Sequence, residues 1–450
     1  MLRILKKRPS RLARTLLAFS CIFLTASAKD KPNVIFILSD DLGAADLGCY
    51  GTKDVHTPAA DSIAEHGVRF TQFYSGAPIC SPSRACLLTG RYPFRAGVTG
   101  NIGFGRGVVG MPAKEITMAK VFKDAGYQTA HIGKWHLGFT DQTSPNAKGF
   151  DYSFGHMGGC IDNYSHFFYW SGPNVHDLYR NGTEVYESGE YFPDLMLKEA
   201  DHFITENRNK PFFIYYAMNT PHYPYQGEKK WLDYFKDLKY PRNLYSAFLA
   251  SQDDRIAKLL ARIDELGLTK DTIIIFQSDN GYSTEERAHH GGGNSGPYRG
   301  AKYSLFEGGI RLPAIISYPG HLPQGEVRDQ MVHAADWMPT LAELCGLKLP
   351  KVKLDGTSIL PVIKSASAPS PHTSLQWKIG QGKSTSWAVR EGDWKLMSNV
   401  FDPVSGKHIP MFLANIKEDI GEQNNLFEKH PDVVLKLTQE HEELMKEIHD

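Results

Sequence analysis

Three apolar runs, each followed at once by polar residues, constrain the fold of this chain more than any other feature. The runs cover residues 34–39, 211–218 and 272–277, and residues 128–132 form a fourth predicted strand. Apolar runs without polar alternation are typical of strands that are covered on both faces. Predicted helices alternate with the strands on short connections, which indicates an α/β fold with a mostly parallel sheet between two helical layers.

Polar side chains follow all four predicted strands directly. In a parallel sheet the carboxyl ends of the strands meet at one edge, and ligands bind in the crevice beyond that edge. We therefore expect one crevice to gather the residues at these positions, which are Asp40, Asp41, Lys134, His136, His222, Asp279 and Asn280.

Two of these strand ends carry acidic pairs that could bind a metal ion. Asp40, Asp41, Asp279 and Asn280 offer only oxygen ligands, which suit a hard divalent cation such as calcium better than zinc. Taken alone, the first pair could simply cap a helix, and Asn280 with the glycine after it could simply form a tight turn. Two such pairs at the ends of two buried strands favour a metal site.

The stretch from Cys80 to Arg91 predicts a short helix with a reactive position at its start. Ser81 can cap the helix, Pro82 suits its first position, and Gly90 supplies the left-handed stop. Cys80 would then lie just before the helix N-terminus, with Arg84 one turn further on. An anion reacting at Cys80 would be stabilised by the free N–H groups and the helix dipole.

Other interpretations of the two cysteines in this stretch remain open on local pattern alone. Cys80 and Cys86 could be buried thiols in an ordinary capped helix. A cysteine phosphatase loop requires an arginine six positions after the nucleophile, and Cys86 occupies that position. A zinc site requires more thiols nearby.

The stretch also resembles the sulfatase signature C-x-P-x-R followed by L-x-T-G-R, whose first cysteine is oxidised to formylglycine (3-oxoalanine). Every signature position is matched. Further motifs that resemble those of the family occur in family order, namely D-D-x-G at 40–43, G-K-W-H at 133–136, T-P-H at 220–222, D-N-G at 279–281 and G-x-K-x-x-x-x-E-G-G at 300–309. The chain is thus similar to the arylsulfatase-like, formylglycine-dependent type I sulfatases of the alkaline phosphatase superfamily.

The resemblance implies one calcium ion, held by Asp40, Asp41, Asp279, Asn280 and the modified Cys80. It also implies that the hydrated aldehyde presents two hydroxyls, one of which attacks sulfur while Lys302, Lys134 and Arg84 offset the negative charge. His222 would protonate the leaving alcohol, and His136 would deprotonate the second hydroxyl so that sulfate leaves.

The resemblance further implies an alkaline phosphatase-like fold, with a large mixed, mostly parallel sheet sandwiched by helices and a smaller C-terminal antiparallel sheet plus helix. The residue pattern agrees, because residues 387–390 and 394–397 predict a hairpin and residues 432–448 an amphipathic closing helix. We expect a signal peptide at 1–28, a catalytic domain at 29–355 and an α+β subdomain at 356–450.

The N-terminal segment predicts export. A basic stretch, an apolar run at residues 15–24 and Ala26-Ser27-Ala28 are typical of a secretory signal cleaved after Ala28. No later stretch is apolar enough to cross a membrane, so we expect a secreted or periplasmic protein without a membrane span after signal removal. An exported setting allows one or two disulfides among the remaining cysteines, which are Cys49, Cys86, Cys160 and Cys345.

Two segments outside the motifs are candidates for substrate contact. The aromatic segment 150–192 predicts a long irregular loop bordering the substrate, in which Asp162, His166 and Trp170 either stack on sugar rings or pack. His289, His290 and the Glu285-Glu286-Arg287 run could contact a sugar, but a solvated loop is the simpler interpretation.

These observations predict a secreted, calcium-dependent sulfatase. Its partners would be a sulfated carbohydrate or aryl sulfate and the formylglycine-generating or sulfatase-maturating enzyme. Nucleic acid is not an expected partner, because 50 basic and 50 acidic residues leave no net charge to attract a polyanion. The alternatives are a phosphoester or phosphonate monoester hydrolase of the same superfamily and a catalytically inactive carbohydrate-binding relative. An intact acid–base set argues against the inactive relative.

Overall fold

The computed structural model describes residues 31–105, 108–169 and 174–449, so the predicted signal peptide and Trp170 lie outside the described residues. A ten-stranded mixed sheet forms the centre of the larger lobe. Its strands in spatial order are β13 (Glu326–Arg328), β2 (Gly67–Phe70), β12 (Ala314–Ser317), β11 (Thr272–Ser278), β1 (Asn33–Ser39), β10 (Phe212–Ala217), β4 (Gln128–Lys134), β5 (Tyr152–His156), β8 (Tyr179–Arg180) and β9 (Thr183–Glu184).

The five central strands β11, β1, β10, β4 and β5 run parallel to one another, and all of them except β5 were predicted from the sequence. Strand β1 is fully buried from Val34 to Leu38 because helices cover both faces of the sheet. The register pairs Leu38 with Ala217 of β10 and Ser39 with Ser278 of β11. These three strands therefore end at the same level, and their following residues share one edge.

Helices form two layers on the sheet. Alternate residues of β1 enter two different apolar cores, with Val34 and Phe36 in one and Ile35 and Ile37 in the other. The first core is closed by α2 (Cys80–Thr89), α3 (Met118–Asp124), α8 (Trp337–Leu344) and α9 (Leu360–Lys364). The second is closed by α1 (Pro58–Glu65), α4 (Phe192–Asn207) and α6 (Arg242–Glu265).

The C-terminal lobe is a four-stranded antiparallel sheet of β15 (Ser374–Ile379), β16 (Ser386–Glu391), β17 (Trp394–Asp402) and β18 (Lys407–Asn415). Helix α10 (Pro431–His449) packs on one face, where Leu437 is fully buried against Val389 and Leu396. The other face packs on the larger lobe through Trp377 and Phe412. The predicted fold class, including the hairpin and the closing helix, is confirmed.

Some predicted elements differ from the observed ones. After β2 the chain leaves the main sheet, and Phe73 and Tyr74 form β3 (Phe73–Tyr74), which pairs with β14 (Val332–His333). The segment predicted as an irregular loop contributes β5, β8 and β9 to the edge of the main sheet, and it forms the hairpin β6 (Phe167–Phe168) and β7 (Val175–His176).

The other two α-helices of the described residues are short, α5 (Lys229–Tyr234) and α7 (Glu307–Ile310). Within the described ranges all five cysteines are free thiols, so none of the disulfides that the sequence allows is present there. No helix in those ranges is long and apolar enough to cross a membrane.

Candidate active site and metal centre

The predicted site residues meet where four adjacent strands end. Strands β11, β1, β10 and β4 are neighbours in the sheet, and Asp279, Asp40, His222 and Lys134 follow or close them in that order. Backbone bonds tie these ends together, because the N–H of Asp40 donates to the carbonyl of Thr220 at 3.0 Å and that of Asp279 to Ser39 at 3.1 Å. The side chains of all these strand-end residues are buried.

Two basic side chains contact the buried carboxylates, and one of them, Arg84, bridges Asp40 and Asp279. Lys134 Nζ lies 2.6 Å from Asp40 Oδ2, and Arg84 donates from Nε and Nη2 to Asp279 Oδ2 at 3.0 and 2.8 Å. Arg84 Nη2 also lies 3.4 Å from Asp40 Oδ1. Burial opposes ionisation of Asp40, yet Lys134 and the other nearby cations hold its pKa well below the usual range.

The charges of the other two carboxylates, Asp41 and Asp279, are less fully offset by nearby cations. Burial raises the pKa of Asp41 to about 6 and that of Asp279 to about 7, although Lys302 and Arg84 act in the opposite direction. A further cation at this position would offset the cost of burying both charges.

Asn280 carries an unused ligand atom at the same place. Its Nδ2 donates to Asp41 Oδ1 at 2.6 Å and to the Gly281 carbonyl at 2.9 Å, while its buried Oδ1 has no partner. Together with the three carboxylates, this oxygen completes a donor set of the kind that calcium prefers. The thiol of Cys80 lies in the same cluster, with its Sγ and oxygens of Asp40 and Asp279 all within 4.8 Å of one another.

Cys80 is the first residue of α2 rather than the residue before it. Ile79 occupies the N-cap position, Pro82 is the third helical residue, and Ser81 does not cap. The Ser81 hydroxyl instead donates to the carbonyl of His136 at 2.7 Å, which ties the helix start to the loop after β4. The predicted stop is confirmed, because Gly90 has a φ of 66°.

The thiol of Cys80 is a poor nucleophile in its unmodified form. Burial raises its pKa to about 12, although Lys134 and Lys302 act against this shift. Lys134 Nζ lies 3.5 Å from the sulfur. A reactive group at this position therefore calls for a modified side chain or a different protonation environment.

Lys302 and His222 form a second pair beside Asp41. Lys302 Nζ donates to Asp41 Oδ2 at 2.9 Å and lies 3.3 Å from His222 Nε2. The other ring nitrogen of His222 lies 2.7 Å from the carbonyl of Tyr223. Burial, and then the charge of Lys302, lower the pKa of His222 to about 3, so the imidazole is neutral in the free enzyme.

His136 is held in an unusual backbone conformation next to the cavity. Its φ is 57°, which is uncommon for a residue with a side chain, and its buried Nδ1 has no partner. A Cβ atom at Gly159 would lie 2.9 Å from His136 Cε1, so only glycine fits against the ring. Burial and Lys134 lower its pKa, which leaves a neutral imidazole suited to accept a proton.

A cavity of about 360 Å³ opens onto these groups. Cys80, His136, His222 and Lys302 line it together with residues to which the sequence analysis gave no individual role in the site, among them Asn101, Phe104, Gly159, Cys160, Phe168 and Tyr303. The 150–192 segment therefore borders the cavity as expected.

The residues named as sugar contacts in that segment have other partners. Asp162 accepts from the backbone of Ser165 and from Gln226, and His166 Nε2 lies 3.0 Å from the carbonyl of Glu190. Both are absent from the cavity wall, so packing and loop closure explain them.

Glu285 contacts the site, although the sequence analysis assigned it to a solvated loop. The predicted solvated loop holds for His289 and His290, which are exposed, but Glu285 lies 3.4 Å from Lys302 Nζ. It also accepts from the hydroxyls of Tyr223 at 3.1 Å and Tyr303 at 3.2 Å. No local signal separates Glu285 from its acidic neighbour Glu286, because its partners come from distant parts of the chain.

The fold and the site define a sulfuric ester hydrolase. The chain belongs to the sulfatase family, because residues 32–347 match the sequence model described as Sulfatase. Residues 299–448 match the model described as N-sulphoglucosamine sulphohydrolase, C-terminal.

Individual relatives are similar to this chain over most of their length. The chain is similar to N-acetylgalactosamine-6-sulfatase of Rattus norvegicus, with 33% identity over 88% of this chain and 79% of the relative. It is also similar to arylsulfatase A of Bos taurus, with 32% identity over 90% and 85%. The crystal structure of Ps i-CgsB in complex with k-i-k-neocarrahexaose superimposes with a TM-score of 0.83 and 32% identity over 92% of each chain. The chain therefore hydrolyses sulfate esters.

Proposed function

We propose that this protein is a secreted, calcium-dependent sulfatase that hydrolyses sulfate esters of carbohydrates through a formylglycine made from Cys80. One observation carries the proposal. The side chain of Cys80 faces the cavity at the start of α2, 3.5 Å from Lys134 Nζ and in one cluster with the carboxylates of Asp40 and Asp279. A nucleophile formed there would have cations and a metal site beside it.

Asp40, Asp41, Asp279, Asn280 and the modified Cys80 would hold the calcium ion. When bound, the ion would neutralise the buried carboxylates and lower the pKa of a coordinated hydroxyl. The aldehyde made from Cys80 would supply, once hydrated, two hydroxyls on one carbon. The unpartnered Oδ1 of Asn280 and the raised pKa values of Asp41 and Asp279 support this assignment.

The basic side chains bind and orient the sulfate group in this proposal. Lys302 and Lys134 would offset the negative charge that builds up on the sulfate oxygens, because both are buried and positively charged. Lys134 Nζ lies 3.5 Å from Cys80 Sγ, and Lys302 lines the same cavity as Cys80. Arg84 acts indirectly, because it contacts Asp40 and Asp279 rather than the cavity and has no exposed surface.

The two histidines move protons at opposite ends of the reaction. His222 would deliver a proton to the leaving oxygen from Nε2, the nitrogen not engaged with the Tyr223 carbonyl. His136 would accept a proton from the hydroxyl that remains after sulfate transfer, because its lowered pKa keeps the ring neutral.

Carbohydrate is the preferred substrate class because of the relatives. One similar protein is named N-acetylgalactosamine-6-sulfatase, and another was solved with the oligosaccharide k-i-k-neocarrahexaose. We propose that the chain is exported by residues 1–28 and that its catalytic domain covers 29–355 and its subdomain 356–450. Cys80 would require a separate formylglycine-generating or sulfatase-maturating enzyme.

The test combines chemical analysis of Cys80 and of the bound metal with measurements of activity. The protein is produced with and without a maturation enzyme, and the peptide containing Cys80 is examined by mass spectrometry alongside the calcium content. Activity is measured on para-nitrophenyl sulfate and phosphate, and on two saccharide series, sulfated N-acetylgalactosamine oligosaccharides and carrageenan oligosaccharides, each with its monosaccharide sulfate. We expect an aldehyde at Cys80, bound calcium and a preference for sulfate over phosphate. Full activity with an unmodified thiol would refute the proposed nucleophile.

A further inference from the structure

A second cavity, which we call the interlobe pocket, lies between the larger lobe and the C-terminal sheet. Its volume is about 400 Å³, and its wall includes Thr99, Tyr303, Ser384, Ser386, Phe401 and His408. Only Tyr303 lies within one of the motifs, at a variable position of the 300–309 motif, and the sequence analysis assigned none of these residues a role.

The interlobe pocket adjoins the active-site cavity directly. The two cavities share Ile79 and Tyr303, which are the chain neighbours of Cys80 and Lys302. A group bound in the interlobe pocket would therefore be next to a group whose sulfate lies at Cys80. A further cavity, which includes Lys378, shares Thr99 and Gly380 with the interlobe pocket. The three cavities therefore follow one another along the boundary between the lobes.

Tyr303 forms a rigid partition between the two cavities. Its φ of 71° lies in the left-handed region, which is strained for a bulky residue and is retained when surrounding contacts hold it. Its N–H donates to the carbonyl of Pro78 at 2.8 Å, and its hydroxyl donates to Glu285 at 3.2 Å. A rigid wall of this kind gives the interlobe pocket a defined shape before any ligand binds.

The wall of the interlobe pocket suits an uncharged sugar ring. Phe401 and His408 present two rings with centroids 5.4 Å apart, which offer faces for the apolar side of a sugar. The hydroxyls of Ser384 and Ser386 donate to protein carbonyls, so their lone pairs are available to accept from sugar hydroxyls. Thr99 accepts from Gln381, which leaves its own hydroxyl proton for a ligand.

Charge separates the two cavities. No lysine, arginine, aspartate or glutamate of the described chain lines the interlobe pocket, whereas Lys302 lines the active-site cavity. A sulfated ring is favoured only beside Lys302, so the ring in the interlobe pocket would be uncharged.

We propose that the interlobe pocket is a subsite for the unsulfated sugar next to the sulfated one, so that the enzyme prefers oligosaccharide sulfates to monosaccharide sulfates. The inference rests on the proposed function. It adds that the preferred substrate is an oligosaccharide, and it names the pocket residues that would select for this length. The C-terminal lobe would then contribute directly to substrate recognition.

The test uses Phe401→Ala and His408→Ala in the full-length, matured enzyme. Phe401→Ala is the larger change and can disturb the packing of the lobe. His408 is exposed, so His408→Ala leaves the packing intact and still tests the pocket. His430→Ala is the matched control, because His430 pairs with Trp394 in the same lobe but lies outside the pocket wall. The substrates are para-nitrophenyl sulfate and the monosaccharide and tetrasaccharide of each saccharide series.

We expect kcat/KM on a tetrasaccharide to fall roughly tenfold in the two pocket variants, as for loss of one aromatic contact, while para-nitrophenyl sulfate and monosaccharide sulfate change less than about twofold. The control variant should match the parent on every substrate. Equal losses on all substrates, or no preference of the parent enzyme for the tetrasaccharide, would overturn the subsite. Turnover of para-nitrophenyl sulfate but of neither saccharide series would overturn it too, while leaving the sulfatase assignment in place. Loss of all sulfate ester turnover in the parent enzyme would count against both.

Discussion

Lys302 Nζ lies 3.3 Å from His222 Nε2, while His222 Nδ1 faces the carbonyl of Tyr223 at 2.7 Å. Because a carbonyl can only accept, Nδ1 carries the ring proton and Nε2 has a free lone pair in the neutral ring. The proposed acid must therefore gain its proton during the cycle. Lys302 keeps its own charge, because Asp41 holds its pKa well above the usual value against the effect of burial, and the negative charge of an incoming sulfate ester favours protonation of the His222 ring.

His222→Ala should slow poor leaving groups far more than good ones, because protonation matters most for an alcohol of high pKa. The expected loss of kcat is roughly a hundredfold for a sugar sulfate and much smaller for para-nitrophenyl sulfate. Steady-state kinetics on both substrates measure the difference. Equal losses on the two substrates would remove His222 from the acid role.

Asp279→Ala should lose bound calcium and activity without unfolding. Asp279 follows β11, which is held by apolar burial that the substitution leaves unchanged. The variant also removes the acceptor of the two hydrogen bonds that Arg84 donates to Asp279 Oδ2, so we expect little residual turnover. Metal analysis, circular dichroism and para-nitrophenyl sulfate assays test this, with the exposed Asp264→Ala as control. A fully active Asp279→Ala enzyme would contradict the metal assignment.

Cys80→Ser should trap a covalent sulfated enzyme. Serine supplies one hydroxyl, whose oxygen could form a bond to sulfur as the bond to the leaving alcohol breaks. No second hydroxyl is then present on that carbon to expel sulfate, so the serine sulfate should persist. Intact-mass measurement after addition of para-nitrophenyl sulfate detects it. Sustained turnover, in a host shown not to oxidise serine, would contradict both the aldehyde and the elimination step.

Lys395→Met should destabilise the contact between the lobes. Lys395 Nζ lies 2.8 Å from Glu307 Oε1 and 3.0 Å from Glu422 Oε1, and all three side chains are fully buried. Removing the cation leaves two buried carboxylates less compensated, at a cost of about 3–5 kcal/mol. Urea denaturation measures this change, and the exposed Lys407→Met is the control. An unchanged midpoint would contradict a stabilising role of Lys395 between the lobes.

Asp253 should make the free energy of unfolding depend on pH. It accepts from the N–H groups of Ala59 and Ala60 at 2.8 and 2.9 Å, and burial raises its pKa to about 7. In the unfolded chain the pKa is about 3.9, so the folded state binds the proton more tightly and stability falls as pH rises from about 4 to about 7. Asp253→Asn should reduce this slope when urea midpoints at pH 5 and pH 8 are compared, with Asp264→Asn as control. An identical slope in Asp253→Asn and the parent would contradict the assignment.

The central strands and the strand-end residues could be predicted from sequence because their signals are local. A strand covered on both faces requires an uninterrupted apolar run, as in Val34 to Leu38, and the polar residue after it marks the sheet edge. The motif around Cys80 is likewise contiguous. Its capping was predicted wrongly at Ser81, since the hydroxyl of that residue bonds to His136, which lies far along the chain.

The sequence by itself therefore determined the parallel core, the sulfatase family and the positions where chemistry is expected. Tertiary structure alone decided the edge strands such as β5, the place of Glu285 beside Lys302, and the pocket shared by Tyr303 and Phe401. Each of these depends on contacts between residues distant in the chain. Local propensity and periodicity carry no information about such contacts, because the partner of a side chain is chosen by the path of the whole backbone.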